Sequence, residues 1–206
     1  MEAPPLPAIL AGLKRRVEAA VGGADIGSLY EEVLSRAIEA AESLSRACET
    51  LDCGGVPERL ALEAEGLGEQ AIGDPYGAYD RVKEFANRLV ACAARLQAYR
   101  SAYLALAGGG AFSVAASALA AAVGAPGPLR LLALLAGSML ALAAALLASY
   151  RASPALTLAG AAVAALGNPP LLEAILIAAG VALAVASLLY RRPPGLSGCL
   201  SPSTPS

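Results

Sequence analysis

Apolar positions recur through the first hundred residues at helical spacing, and glycine, proline or polar residues separate the runs. Leu10, Leu13, Val17 and Val21 share one face of a helix predicted from about Pro7 to Val21, which Gly22-Gly23 ends. A second helix is predicted from Ser28 to about Leu51. Ser28-Leu29-Tyr30-Glu31 fits a capping box at its start. Tyr30, Leu34, Ala37, Ala41, Leu44, Cys48 and Leu51 then alternate at spacings of four and three, a seam of coiled-coil type. Asp52-Cys53-Gly54-Gly55 is the stop. A short third helix is expected from Pro57 to about Leu67, with Leu60, Ala64 and Leu67 inward and Gly66, Gly68 and Gly73 weakening it. Asp74-Pro75 reads as the cap and first residue of a fourth helix. Along it Val82, Phe85, Leu89, Cys92, Leu96, Tyr99 and Tyr103 repeat the seam. Two long seamed helices joined by a short connection predict an antiparallel pair, with the first and third helices covering its sides.

Beyond residue 100 the periodic pattern gives way to four nearly continuous apolar stretches: 102–123, 129–150, 152–166 and 171–190. A bilayer core of ~30 Å asks for ~20 residues. The first, second and fourth stretches meet that length. The third, at 15 residues, crosses only if the bilayer thins, Arg151 snorkels, or the segment is re-entrant. The first is interrupted by Gly108-Gly109-Gly110, which suggests a kink or a close helix crossing. Connectors at Gly124–Pro128, Arg151–Ser153 and Gly167–Pro170 are short enough to force antiparallel neighbours. The expected fold is therefore all-α. A cytoplasmic antiparallel helical bundle or coiled-coil-like hairpin (1–100) precedes a four-helix transmembrane bundle (101–192) and a Pro/Ser/Gly-rich tail (193–206) expected to be disordered.

Charge sharpens this division. Residues 1–100 carry 11 basic and 16 acidic groups, net −5, whereas residues 101–190 carry only Arg130, Arg151 and Glu173. A soluble segment of that size would hold about 22 charges at the usual ~25%. Arg88, Arg95, Arg100, Arg151, Arg191 and Arg192 lie near span ends on one side, and Arg130 alone on the other. The positive-inside rule then places the helical domain and the C-terminus in the cytoplasm of a multi-pass membrane protein. The whole-chain net charge of −2 and the absence of a basic stripe argue against nucleic-acid binding.

Candidate chemistry is sparse. The chain has no histidine, and Cys48 and Cys53 have no second ligand pair, so neither a metal nor a cofactor is expected. Cys48 and Cys92 sit on the seams and read as structural thiols, with Cys53 in the turn the most exposed. Gly195-Leu196-Ser197-Gly198 matches the G-x-S-G pattern of rhomboid-type intramembrane proteases, but it lies beyond the last span and has no histidine base. No phosphate-binding glycine loop occurs. Glu173 is the lone acid of the apolar region and the one candidate intramembrane polar site. Its place beside Asn168-Pro169-Pro170 suits an interfacial or helix-capping role better than ion or substrate handling. Pairs such as Ala133/Gly137/Ala141, Gly160/Ala164 and Gly180/Ala184 permit close helix contact within the bundle or between copies.

The stretches Gly55-Val56-Pro57-Glu58-Arg59-Leu60 and Gly73-Asp74-Pro75-Tyr76 resemble the helix-turn phrasing of the polytopic assembly-platform proteins of type II secretion, type IV pilus and archaellum systems. The resemblance implies a cytoplasmic bundle joined to membrane helices. That family repeats the bundle and sets spans between the copies, whereas here a single bundle precedes all the spans. The functional expectation is a non-enzymatic membrane scaffold with the lipid bilayer and a protein partner or second copy as partners. Its candidate interaction seam is Tyr30, Leu34, Leu44, Leu51, Val82, Phe85, Leu89, Leu96 and Tyr99. The alternatives are a small transporter or channel subunit and an assembly-platform-like component.

Overall fold

The computed structural model describes residues 5–21, 25–123, 127–146, 153–166, 170–194 and 196–200, with backbone alone at 118–123, 129–130 and 197–198. Among them the chain is all-helical: α1 (Leu6–Val21), α2 (Asp25–Thr50), α3 (Val56–Gly73), α4 (Pro75–Val123), α5 (Pro128–Leu146), α6 (Ser153–Ala165), α7 (Leu171–Tyr190) and a 3-10 turn at Leu196–Cys199. It divides into two units. The first holds α1, most of α2, α3, α4 up to Ala98, and the segment from Pro193. The second holds Glu49–Leu51 and Tyr99–Arg192.

In the first unit the helix starts follow local chemistry. Asp74 accepts a hydrogen bond from the Gly77 amide (3.0 Å) and so caps α4, with Pro75 at the first helical position, as the sequence predicts. Its own amide donates to the Gln70 carbonyl (2.8 Å), so one residue ends α3 and begins α4. The capping box at Ser28 does not form. Helix α2 starts a turn earlier, at Asp25, and the Ser28 hydroxyl donates to the Asp25 carbonyl (3.0 Å). Asp25 places a negative charge at the positive helix end, and the extra turn buries Ile26, which together outweigh a cap at Ser28.

The path of these helices corrects the expected antiparallel pairing of α2 with α4. Lys14 donates to Ser35 (3.0 Å) and sits 3.8 Å from Glu31, tying the middle of α1 to the early part of α2. Leu6 and Ile9 line one cleft with Leu44 and Ala61, so the start of α1 meets the later part of α2 and the start of α3. Arg88 pairs with Glu63 and Arg81 with Gln70 (3.0 Å), which sets α3 antiparallel to α4. The start of α2 meets the start of α4: Tyr30 donates to the Pro75 carbonyl (2.6 Å) and its ring meets Tyr79 edge-on at 5.4 Å. The unit is an up-down-up-down four-helix bundle in which α2 and α4 run parallel.

The reason lies in α3. It extends to Gly73, past the expected end near Leu67, and spans about 27 Å at 1.5 Å per residue. That is enough to carry the chain back to the start of α2. The glycines that lower its helix propensity also let it pack. A Cβ at Gly68 would lie 2.7 Å from Leu13 Cδ1, so α1 and α3 approach each other where the side chain is missing. Tertiary contact overrides propensity there.

The turn between α2 and α3 is closed covalently. Cys48 and Cys53 form a disulfide, and Cys92 bonds to Cys199. The expectation of structural thiols, with Cys53 exposed, is therefore corrected: Cys53 is only 6% exposed. Gly54 and Gly55 take positive φ (55° and 77°), the backbone region that favours glycine. The expected disorder of the tail is corrected over its first residues, where Pro193 and Cys199 are buried. Residues 201–206 lie outside those described, as do the Gly22-Gly23 stop and much of the three short connectors.

In the second unit α5 runs antiparallel to α6, and α4 antiparallel to α7. Helix α6 packs on both α5 and α7. Ser153 donates to the Ala144 carbonyl (2.8 Å) near one end of α5 and α6, and Gly137 meets Gly160 further along. The later part of α4 packs on α7: the Tyr99 and Tyr190 rings lie tilted with centroids 6.2 Å apart, and Ser113 donates to the Leu176 carbonyl (3.0 Å). The core is Val114, Leu134, Ala141, Ala161, Ala164 and Ile177. Among the described residues, Leu171–Tyr190 alone is long and apolar enough to cross a membrane; Leu131–Leu146 and Ser153–Ala165 are shorter apolar helices. The run of three glycines does not break α4, which continues through it for 49 residues in all.

Two substitutions in α3 test the packing argument with opposite signs. Gly68→Val pushes into Leu13, which is itself buried, and should destabilise the bundle by about 1–3 kcal/mol. Gly66→Ala meets nothing within 4 Å and should stabilise it by about 0.5–1 kcal/mol. Thermal melts of the full chain followed by circular dichroism read both.

Candidate functional site

The candidate seam is spent inside a single chain. Tyr30, Leu34, Leu44, Leu51, Val82, Phe85, Leu89 and Leu96 are all at most 2% exposed. Tyr99 is half-buried, against Tyr190. These residues close a core, and none of the first eight presents a surface to a second copy. Any partner of this unit must use its outer faces. An apolar cleft of about 390 Å³ lies where α1, α2 and α3 meet, lined by Leu6, Ile9, Leu44, Ala61 and the 69%-exposed Leu62.

Tyr30 is the most polar member of the seam. Its phenol is held above the usual value, at about 12, first by burial and then by the neighbouring Asp74 carboxylate and Tyr79. Charging it would place an anion in the core beside another anion. Arg88, a face away, pairs with Glu63 while its Nε and Nη1 are buried without a partner among the described residues. The pair joins α3 to α4, and sequence spacing gives no signal of it because 25 residues separate its members.

Glu173 stands at the third residue of α7 and is only 2% exposed. Its place in the first turn agrees with the expected helix-terminal role, since a carboxylate there faces the positive end of the helix. The hydroxyls of the second unit mostly satisfy themselves locally. Ser117, Ser138, Thr157 and Ser187 donate to carbonyls three or four residues earlier, at 2.6–3.1 Å. Ser113 reaches across from α4 to α7, and Ser153 from α6 to α5. No group of three or more metal-ligating side chains occurs among the described residues.

The small-residue pairs do resolve. A Cβ at Gly137 would lie 2.6 Å from the Gly160 carbonyl oxygen and 2.8 Å from Ala164 Cβ. One at Gly110 would lie 2.9 Å from the Gly180 carbonyl oxygen. These contacts lie within the chain, at two helix crossings. Of the two readings of the glycine run, a kink or a close crossing, the crossing is the one seen, at Gly110, whereas Cys199 was not singled out as a contact. For Gly110 the glycine run was the available signal; for Cys199 there was none beyond an even cysteine count. Compared with protein-family models, curated proteins and solved structures, the chain matches none.

Two tests follow from this geometry. In an ordinary helix Gly→Ala stabilises by about 1 kcal/mol. Gly137→Ala should instead lower the melting temperature in detergent, because backbone atoms of α6 cannot yield, while Gly108→Ala, with nothing within 4 Å, should leave it unchanged or raise it. The raised Tyr30 phenol contributes stability that is complete below pH 10 and is lost as pH rises toward about 12. Tyr30→Phe should cost about 0.5–1.5 kcal/mol at neutral pH by removing the bond to Pro75. It should also flatten the alkaline loss, read as melting temperature at pH 9 against pH 11.

Proposed function

We propose that the chain is a non-enzymatic multi-pass membrane scaffold: the second unit is a four-helix bundle in lipid, and the first carries a protein partner or a second copy on its outer surface. The observation that carries the membrane reading is the inverted distribution of side-chain size in the second unit. Phe112, Met139, Leu146, Leu166, Leu171 and Leu189 are 68–83% exposed, while its crossings are made by Gly110, Gly137, Gly160, Gly180 and alanines. A water-soluble bundle buries its large apolar groups. A bundle in lipid gains nothing by doing so and packs on small residues instead. Arg130, Arg151 and Glu173 as the sole charges between residues 101 and 190 support the same reading. The short α6, about 20 Å long at 13 residues, asks for a locally thinned bilayer.

Both ends of the spanning region lie on the arginine-rich side, which the charge rule assigns to the cytoplasm. Two disulfides on that side then require a cytoplasm that sustains them, as in hyperthermophilic cells. On this reading the scaffold's contacts use exposed helix faces, since the seam residues are buried.

Alkaline carbonate extraction of membranes containing the full chain should leave it in the pellet, and detergent should release it. Release by carbonate alone would remove the membrane reading. Chemical crosslinking in those membranes should yield an adduct heavier than the monomer; a monomer throughout would count against the scaffold. The burial of Glu173 favours a second reading, a small transporter or channel subunit. Under it, flux in proteoliposomes should fall in Glu173→Gln, and equal flux would set Glu173 aside.

A further inference from the structure

We infer that the Cys92–Cys199 disulfide is a redox clasp that docks the C-terminal segment on α4 and fixes both ends of the apolar region on one side of the membrane. Cys92 lies on the seam of α4 and is 2% exposed; Cys199 lies in the 3-10 turn after α7 and is 5% exposed. Pro193 is buried as well, and the segment from Pro193 groups with the first unit even though α5, α6 and α7 intervene in sequence. A bond between residues 107 apart therefore closes a loop that contains the whole apolar region. A covalent bond cannot span a bilayer, so the chain between Cys92 and Cys199 must cross an even number of times. This consequence rests on the membrane reading proposed above; the clasp itself does not. It excludes an arrangement in which α7, among the described residues the one helix long and apolar enough to cross, crosses alone.

The bond forms by thiol–disulfide exchange with a disulfide oxidant. The thiolate of one cysteine attacks an oxidant sulfur and releases one thiol. The second cysteine's thiolate then attacks the mixed disulfide and releases the other thiol. Two electrons pass to the oxidant, and the two protons lost by the cysteines end on the two released thiols. A dithiol reductant reverses both steps. Because both cysteines are buried, reduction needs the segment around Cys199 to lift from α4, and it frees that segment from its anchor.

The test uses the full chain in its membranes. With free thiols blocked before lysis, the unreduced protein should run faster in denaturing electrophoresis than the reduced one, because the closed loop makes it compact. The shift should persist in Cys48→Ser and vanish in Cys199→Ser, whose position in the terminal segment spares the helical bundle. Digestion should release a linked peptide pair containing Cys92 and Cys199. Recovery of both as blocked free thiols would overturn the clasp. With the four cysteines replaced, Gln97→Cys and Pro194→Cys, both at exposed positions, should each react with an impermeant maleimide from the same face of sealed vesicles. Reaction from opposite faces would overturn the even crossing. Carbonate release together with a linked peptide would defeat the membrane reading and leave the clasp standing.

Discussion

Close approach of helix backbones at residues without side chains is the constraint on which both units depend. At Gly137 and Gly160 each helix presents bare backbone to the other, and a Cβ on either would come within 2.7 Å of a carbonyl oxygen. Gly110 and Gly180 repeat the arrangement between α4 and α7, and Gly68 does it in milder form against a side chain, Leu13. Dispersion falls steeply with distance, so helices that touch gain contact along their whole facing length. In the second unit this matters more than in the first. Its exterior is as apolar as its interior, and with lipid outside, as proposed above, transfer of apolar groups from water would give no reason to turn them inward. Shape is then what remains to hold the unit together.

The first unit obeys the other rule. Tyr30, Leu34, Leu44, Phe85 and Leu89 are buried, and the charges lie outside. One helix, α4, serves both rules along its length: its residues to Ala98 belong to the first unit and those from Tyr99 to the second. The change is written in its sequence as a loss of charge after Arg100 and a rise of alanine and glycine. No break in the backbone accompanies it.

Much of this was legible from spacing alone. The limits of α1 and α7, the cap at Asp74, the stop at Gly54-Gly55 and the membership of both seams follow from local rules that act over a turn or two. What was not legible depends on partners distant in sequence. The run of α3 to Gly73 is decided by Leu13, some fifty residues away, and a propensity count at Gly66 and Gly68 points the other way. The parallel course of α2 and α4 follows from that length. The seams announce that both helices are buried and say nothing of direction, since a four-three repeat reads alike from either end. The buried setting of Glu173 is likewise set by neighbouring helices, whereas its position in the first turn of α7 is visible in the sequence.

The two disulfides do different physical jobs, and loop length separates them. Cys48–Cys53 closes five residues of chain around a turn whose glycines already hold positive φ, so it reinforces a local shape. Cys92–Cys199 closes 107. For a free chain in water a loop near 100 residues would contribute about 4.7 kcal/mol by restricting the unfolded state. That figure assumes an unfolded chain at liberty. On the membrane reading proposed above, a segment held in lipid would keep its helices and its ends near the surface even when α4–α7 loosen, so much of the entropy the bond removes would already have been lost. On that reading the long bond adds less stability than its loop suggests. What it chiefly does is decide position, by holding the segment that leaves α7 against the helix that leads into the apolar region.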